Sequence, residues 1–296
     1  SVTGTILISV NPSTVSEVYG VTQRGNSVTF PASSIYSAVS TATGVSLSSI
    51  QLLSLPAASQ GTVYVGTGTA TRATTDALYG YSTGTQRMNQ LHFVPASTFT
   101  GSVEIPYVAY NSSGTAFAVG LFSLGVLNNP RTFKDVSSST WCYKYVVELS
   151  DANVIDGYAD GSFKPDSTVT YGAALKLIML AAGYPEQAPV NANVFSGYLA
   201  KARAEGIITR SDVDLSKPIT RLQVAQIATG AMKLNTTNLT SVQPFTDTTD
   251  PAVRALNAAG IVEGYFNNGT STYKPGNTLT RGQLSAIVWR MEQYRK

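Results

Sequence analysis

The stretch VIDGYADGSFKP at residues 154–165 returns later in the chain as IVEGYFNNGTSTYKP at residues 261–275. A fainter copy lies between them, with Ile207-Ile208 near its start and Lys217-Pro218 at its end. The prolines at 165, 218 and 275 are 53 and 57 residues apart. Self-similarity at a fixed period of this length is typical of repeat architectures. The second half of the chain is therefore predicted to contain three degenerate copies of one unit, each of roughly 55 residues.

Each copy is predicted to form two helices joined by a turn and a loop. The first helices end at residues suited to the left-handed conformation, Asn153, Gly206 and Gly260. The second helices begin after the capping threonines Thr170, Thr220 and Thr280. In copies two and three a glutamine three residues later completes a capping box, whereas copy one has Ala173 there. Apolar residues at helical spacing then predict that these helices share a core.

The first 128 residues differ from the rest of the chain in composition. They contain six charged side chains and no lysine. Runs of β-branched and aromatic residues predict strands at 4–10, 61–65, 90–94, 102–110 and 116–126, with one short helix at 31–40. The sequence Asn128-Asn129-Pro130 marks the boundary, because a residue before proline avoids the helical conformation. We expect a multidomain protein, with an all-β sandwich over residues 1–128 followed by a mostly helical part.

Several classes of site and partner are excluded by composition. Cys142 is the single cysteine, which excludes an intramolecular disulfide, and His92 is the single histidine, which excludes a metal site with two imidazole ligands. No apolar run approaches the ~20 residues of a membrane-spanning helix. The net charge of +3 is too small to suggest a nucleic-acid partner. We therefore expect no metal, no other cofactor, no nucleic-acid partner and no membrane insertion.

The repeated motifs resemble those of the S-layer homology family. Copy one carries Phe133-Lys134-Asp135, Trp141 and the segment 157–165, and copy three carries Phe245-Thr246-Asp247 and the segments 260–265 and 279–283. The resemblance implies a pseudo-threefold bundle of three repeats, at 129–188, 189–240 and 241–296. It also implies non-covalent anchoring to the bacterial cell wall. The implied ligand is a secondary cell-wall polysaccharide, pyruvylated or otherwise anionic, or a glycan linked to peptidoglycan.

The first part of the chain carries a resemblance of its own. The stretch 61–110, which includes Leu91-His92-Phe93-Val94-Pro95 and Tyr107-Val108-Ala109-Tyr110, is similar to Ig-like or cadherin-like modules of bacterial surface proteins. Cadherin-type calcium sites need clustered carboxylates, and this part of the chain has only three acidic residues. We expect it to act as a spacer or packing module, with a self-associating lattice unit as the open alternative.

Two arginines stand where helix electrostatics disfavours them. Arg221 and Arg281 directly follow the capping threonines, and a cation at an exposed helix N-terminus costs about 0.3–1 kcal/mol. Because free N–H groups and a guanidinium together favour an anion, one interpretation is that these arginines bind an acidic group of the wall polymer. The alternative is a salt bridge to Asp135 or Asp247. Copy one has Tyr171 at this position, so we expect one or two working grooves rather than three.

By the resemblance, the sugar binds in grooves between neighbouring copies. The residues expected there are the arginines, the Phe-x-Asp aspartates, the early tryptophan and the Gly-Tyr turns: Arg221, Arg281, Asp135, Asp247, Trp141, Gly157, Tyr158, Gly264 and Tyr265. Aromatic faces suit sugar rings because they offer apolar area beside a wet polar edge. For Trp141 an equal alternative is a structural role in the core.

These observations predict a non-catalytic extracellular protein of the cell wall or S-layer, with other S-layer subunits as a second class of partner. No motif proposes the facing pair of carboxylates that a glycosidase needs. Two alternatives stay open: the chain is the anchoring fragment of a larger wall-attached glycoside hydrolase, or it is part of an adhesin.

Overall fold

The computed structural model describes residues 15–82, 84–237, 239 and 245–296. The chain divides between Pro130 and Arg131 into two compact units, called here the first and the second unit. The strand predicted at 4–10 lies outside the described residues. The three repeat boundaries at 129–188, 189–240 and 241–296 stay a prediction.

The first unit is rich in strands and contains one α-helix within its described part. Its strands are β1 (Val18–Gln23), β2 (Val28–Thr29), β3 (Ser49–Leu52), β4 (Gly61–Val65), β5 (Thr71–Arg72), β6 (Tyr79–Gly80), β7 (Leu91–Pro95), β8 (Gly101–Tyr110) and β9 (Ala116–Leu127). The helix α1 (Ala32–Thr43) lies between β2 and β3, and a single 3-10 turn, Met88–Gln90, precedes β7. The helix and the described strands predicted from composition are therefore confirmed to within three residues at each end.

The strands form two sheets around one core. The five-stranded sheet has the order β1-β9-β8-β3-β6, and the four-stranded sheet has the order β2-β7-β4-β5. Buried residues of both sheets, such as Phe122 of β9 and Phe93 of β7, belong to the same hydrophobic cluster. The strand β1 runs parallel to β9, so the larger sheet is mixed. The finer Ig-like or cadherin-like assignment stays a prediction.

The second unit contains six helices and one small hairpin in its described part. The helices are α2 (Tyr143–Asp151), α3 (Tyr171–Ala181), α4 (Ser196–Ala204), α5 (Arg221–Ala231), α6 (Pro251–Ala258) and α7 (Arg281–Arg295). Between α6 and α7, the strands β10 (Tyr265–Asn267) and β11 (Thr270–Thr272) form an antiparallel pair. Buried residues of all six helices join one core, so the molecule as a whole is an α/β protein with a β-rich N-terminal part.

Local signals place the helix ends where the sequence predicts them. Asn153, Gly206 and Gly260 all have left-handed backbones, with φ of 57°, 70° and 69°. The hydroxyl of Thr220 accepts the N–H of Gln223, whose side chain in turn accepts the N–H of Thr220. The same capping box is present at Thr280, and Thr170 caps α3 without one, as predicted.

Three backbone hydrogen bonds join the loops before α3, α5 and α7 in a closed cycle. The N–H of Val169 donates to the carbonyl of Leu279 at 3.1 Å, that of Leu279 to Ile219 at 3.4 Å, and that of Ile219 back to Val169 at 3.2 Å. All three side chains are buried in the core. Each of the three equivalent positions thus donates to one neighbour and accepts from the other.

A second cycle, which runs in the opposite direction, satisfies free N–H groups at the helix N-termini. The first two N–H groups of α5, from Arg221 and Leu222, donate to the carbonyls of Asn277 and Pro275. The first two of α7 donate to the loop at 165–167, and the first two of α3 to the loop at 215–217. Because each of these helix starts depends on the loop before another of the three helices, the helices α3, α5 and α7 are built into one body. Across the described residues, no helix combines the length and apolar character needed to cross a membrane.

Candidate functional site

One groove of the second unit is lined by residues that are distant in the sequence. We call it the Trp141 groove. Its walls are the start of α2, the turn at 262–265, the start of α5 and one face of α7: Trp141, Tyr145, Arg221, Val262, Glu263, Gly264, Tyr265, Gln283, Ala286, Ile287 and Arg290. It contains about 710 Å³ of space, counting the part open to solvent. Four of the nine residues predicted for the site, Trp141, Arg221, Gly264 and Tyr265, meet here.

Trp141 lies at the rim of this groove. Its side chain is 57% exposed, so the alternative of a core residue is wrong. The indole rests on the start of α7, where a β-carbon on Gly282 would stand only 3.1 Å from it. Its ring centre is 6.5 Å from that of Tyr145. The tryptophan therefore presents apolar ring surface to solvent from a supported position.

Arg221 lies inside the groove wall with its polar atoms committed. The residue is only 7% exposed. Its Nε donates to the carbonyl of Tyr273 at 2.7 Å and its Nη2 to the carbonyl of Glu263 at 3.3 Å. The guanidinium also lies over the rings of Tyr273 and Tyr265, at 4.4 and 5.1 Å from their centres. Arg221 thus holds the Gly-Tyr turn of copy three from the helix of copy two.

Arg281 repeats this arrangement between copies three and one. Its Nε donates to the carbonyl of Phe163 at 2.8 Å and its Nη2 to that of Asp156 at 3.0 Å. The guanidinium lies 4.9 Å from the centre of the Tyr158 ring. Burial lowers the pKa of Arg281. Within the described part of the chain, neither Arg221 nor Arg281 forms an ion pair. The predicted alternative of a salt bridge to Asp135 or Asp247 is therefore wrong. The guanidinium groups bind backbone carbonyls instead.

The two predicted aspartates hold the other side of the repeated loops. The carboxylate of Asp135 accepts the N–H groups of Phe163 and Lys164, both at 2.7 Å. Asp247 accepts those of Tyr273 and Lys274 at the same distances. Burial acts to raise the pKa of Asp135, but the two backbone hydrogen bonds outweigh it and leave the pKa below its usual value. Neither aspartate lines the Trp141 groove.

The hydrogen bonds to the aspartates hold one lysine of each loop in an unfavourable backbone conformation. Lys164 and Lys274 both have a left-handed backbone, with φ of 58°. This conformation is unfavourable for a residue other than glycine. We therefore interpret the aspartates as loop-positioning residues.

The predicted glycines allow an aromatic ring to approach the backbone. A β-carbon at Gly157 would overlap the ring of Phe133, and one at Gly264 would overlap that of Phe245. These rings belong to the Phe-x-Asp motifs, so the glycine and the phenylalanine of each copy form a matched pair. Copy two has Arg210 at the corresponding position and lacks a clear Phe-x-Asp motif, having Val194-Phe195-Ser196 instead.

Each predicted tyrosine is accompanied by a lysine that sequence reasoning missed. Tyr158 and Tyr265 are 44% and 40% exposed. The ammonium of Lys164 lies 4.2 Å from the ring centre of Tyr158, and that of Lys274 lies 4.3 Å from the ring centre of Tyr265. The signal was present in the repeated Phe-Lys-Pro and Tyr-Lys-Pro motifs. Tyr158 with Arg281 thus forms a second cluster, separate from the Trp141 groove.

The corresponding position at the start of α3, in copy one, lacks an arginine. Tyr171 stands where Arg221 and Arg281 stand in the other copies, and it is 6% exposed. Burial raises the pKa of its phenol. Nearby, Arg210 is paired with Asp212 at 2.7 Å. The expectation of one or two grooves stays a prediction, and the buried uncharged side chain of Tyr171 gives it a structural basis.

Several other residues of the Trp141 groove were not predicted from sequence. They are Tyr145, Glu263, Gln283 and Arg290. Gln283 was assigned only a capping role, and Arg290 has no counterpart in the other copies, so no repeat could reveal it. In the described ranges, no three His, Cys, Asp or Glu side chains come together as metal ligands do.

Comparison with known proteins finds a family model that matches parts of the second unit. The family model of the S-layer homology domain matches residues 132–175 and 246–285, which are in copies one and three. The residues between them, where copy two departs from the motifs, are not part of the match. Together with the relatives below, the match supports the S-layer homology family.

Two relatives come from one bacterial genus. The chain is 29% identical over 104 residues to the "Middle cell wall protein" of Brevibacillus brevis, which is 35% of this chain and 10% of that protein. It is 40% identical over 53 residues to the "Surface layer protein" of Brevibacillus choshinensis, which is 18% of this chain and 5% of that protein. The matched region thus spans about a tenth or less of each relative.

Proposed function

We propose that the second unit anchors the protein non-covalently to a bacterial cell wall by binding a wall glycan in the Trp141 groove. The ligand is an anionic secondary cell-wall polysaccharide or a glycan linked to peptidoglycan. The observation that carries the proposal is the groove itself, where exposed Trp141 and Tyr265 line the same space as the guanidinium of Arg290. Rings supply apolar area for sugar C–H surfaces, and guanidinium groups favour acidic substituents.

The comparisons with known proteins and the hydrogen bonds between the copies support this proposal. The family match and the names of the two relatives support a cell-wall or S-layer location, with other S-layer subunits as further partners. The three copies form a hydrogen-bonded cycle, which supports the pseudo-threefold bundle expected of three repeats. The anchoring fragment of a larger wall-attached hydrolase or adhesin is the alternative for the whole protein.

A non-catalytic role is part of the proposal. Of the residues that line the described groove, Glu263 is the one carboxylate. A glycosidase of the usual kind needs two carboxyl groups on either side of the scissile bond. Incubation with wall glycans should therefore release no reducing ends, and their release would contradict this part of the proposal.

The test is retention on isolated cell walls of Brevibacillus brevis, compared before and after chemical removal of the polymer attached to peptidoglycan. Trp141→Ala should weaken binding about tenfold, because it removes the exposed aromatic surface at the rim of the groove. Val194→Ala is the matched control. Val194 directly precedes the N-cap residue of α4, as Trp141 precedes that of α2, and it is 63% exposed. Equal retention of the two variants, or undiminished binding to stripped walls, would rule the proposal out.

A further inference from the structure

We propose that Arg290, rather than Arg221, binds the acidic group of the glycan in the Trp141 groove, and that Glu263 is the internal anion which the glycan displaces. The inference rests on the proposed function and deepens it, because it assigns the ligand class, an acidic saccharide, to a particular side chain. It also gives Arg221 a different role, that of a positioning residue.

Arg221 is poorly suited to bind a ligand from solution. It is 7% exposed, and two of its three nitrogens already donate to the carbonyls of Tyr273 and Glu263. Those carbonyls would lose their buried donor if the guanidinium turned toward a ligand, and a buried acceptor without a partner is costly. The Arg221 side chain instead holds the backbone that carries Tyr265.

Arg290 has the opposite properties. Its side chain is 26% exposed, and an ion pair joins its Nη2 to the Glu263 carboxylate at 3.7 Å. The carboxylate is itself 75% exposed, and an ion pair this open to solvent contributes little to stability. The guanidinium carbon lies 5.9 Å from the centre of the Tyr145 ring, and Tyr145 and Trp141 both line the groove. An acidic sugar could therefore replace Glu263 at little cost.

The repeat itself does not require this arginine. At the corresponding place in the second helices of copies one and two stand Leu180 and Gly230. In copy one the counterpart of Glu263 is Asp156, which pairs instead with Arg131. A cation at this position is thus specific to the Trp141 groove, where the packing of the bundle does not explain it.

The experiment measures binding of the full chain to polymer released from Brevibacillus brevis walls. Arg290→Leu, which introduces the residue of copy one, should weaken binding about tenfold, and Arg290→Lys should retain most of it. Glu263→Gln should tighten binding a few-fold, because it removes the competing carboxylate. All three should melt like the parent protein, which separates these effects from misfolding.

Chemically modified polymer identifies the acidic group. If it is a carboxylate, the difference between the parent and Arg290→Leu disappears with carboxyl-reduced polymer; if it is a phosphate, it disappears with polymer freed of phosphate. A difference that survives both treatments overturns the inference. So does unchanged binding by Arg290→Leu alongside weak binding by Trp141→Ala, which would leave the proposed function intact. Unchanged binding by both variants would remove the proposed function as well.

Discussion

Gly264 and Gly157 show how one missing side chain permits a motif. At both positions the phenylalanine ring of the same copy lies where a β-carbon would be. The apparent Gly-Tyr signature therefore has two parts with different roles. The glycine serves packing, and the tyrosine presents its ring to solvent.

Gly264→Ala should lower the free energy of unfolding by about 2 kcal/mol or more, because the Phe245 ring must move out of a packed position. Gly276→Ala is the matched control. Gly276 is exposed, has no atom within 4 Å of its would-be β-carbon and has no positive φ. It should stay within about 0.5 kcal/mol of the parent protein in urea unfolding. Equal stability of the two variants would mean that the ring relaxes freely.

The arginines illustrate what a single residue can reveal before a structure is known. Their position beside a capping threonine contradicts helix electrostatics, so the sequence shows that they serve something other than their own helix. It does not show what they bind. The acceptors of Arg221 are carbonyls 42 and 52 residues away, and any residue type can supply a carbonyl. Such a partner leaves no trace in the sequence pattern.

At the scale of helices and hairpins, the local sequence signals that were used predicted the helix ends correctly. The left-handed ends at Asn153, Gly206 and Gly260, and the capping boxes, all depend on atoms within a few residues. The hairpin of β10 and β11 was missed although its turn carries the usual signal. Asn268 and Gly269 both have positive φ, as the favoured two-residue hairpin turns require.

The capping boxes allow a comparison within one molecule. Thr220→Ala and Thr280→Ala should each cost about 1 kcal/mol of stability, since both remove a hydroxyl that accepts an N–H and is part of a reciprocal pair. Thr170→Ala should cost less, because its hydroxyl accepts the N–H of Ala173 at 3.4 Å and no glutamine returns the bond. Urea denaturation of the three variants checks the order. A larger loss at Thr170 would contradict it.

At the scale of the whole second unit, cooperativity follows from the cycle of hydrogen bonds. The first two N–H groups of α3, α5 and α7 donate to loops of another copy, so none of these helix starts is satisfied within its own copy. Buried N–H groups without partners are costly, and two would be left at the start of α5 if copy three were removed.

A chain that ends at residue 240 should therefore lose the fold of copies one and two. Hydrogen exchange should show unprotected amides in α3 and α5, which are protected in the full chain. Adding the peptide 241–296 should restore protection, because it returns the acceptors Pro275 and Asn277. Full protection in the shortened chain would show that the copies are independent.

The sequence by itself predicted three copies, and it determined the ends of the helices and the change in composition near Pro130. These features depend on backbone conformation and side-chain hydrogen bonds over a few residues, so they are written locally. The tertiary structure alone decided that Trp141 is exposed, that Arg221 is committed to carbonyls and that Arg290 faces the groove. The physical reason is distance along the chain: the groove joins residues of all three copies, and only the closed cycle brings them to the same place.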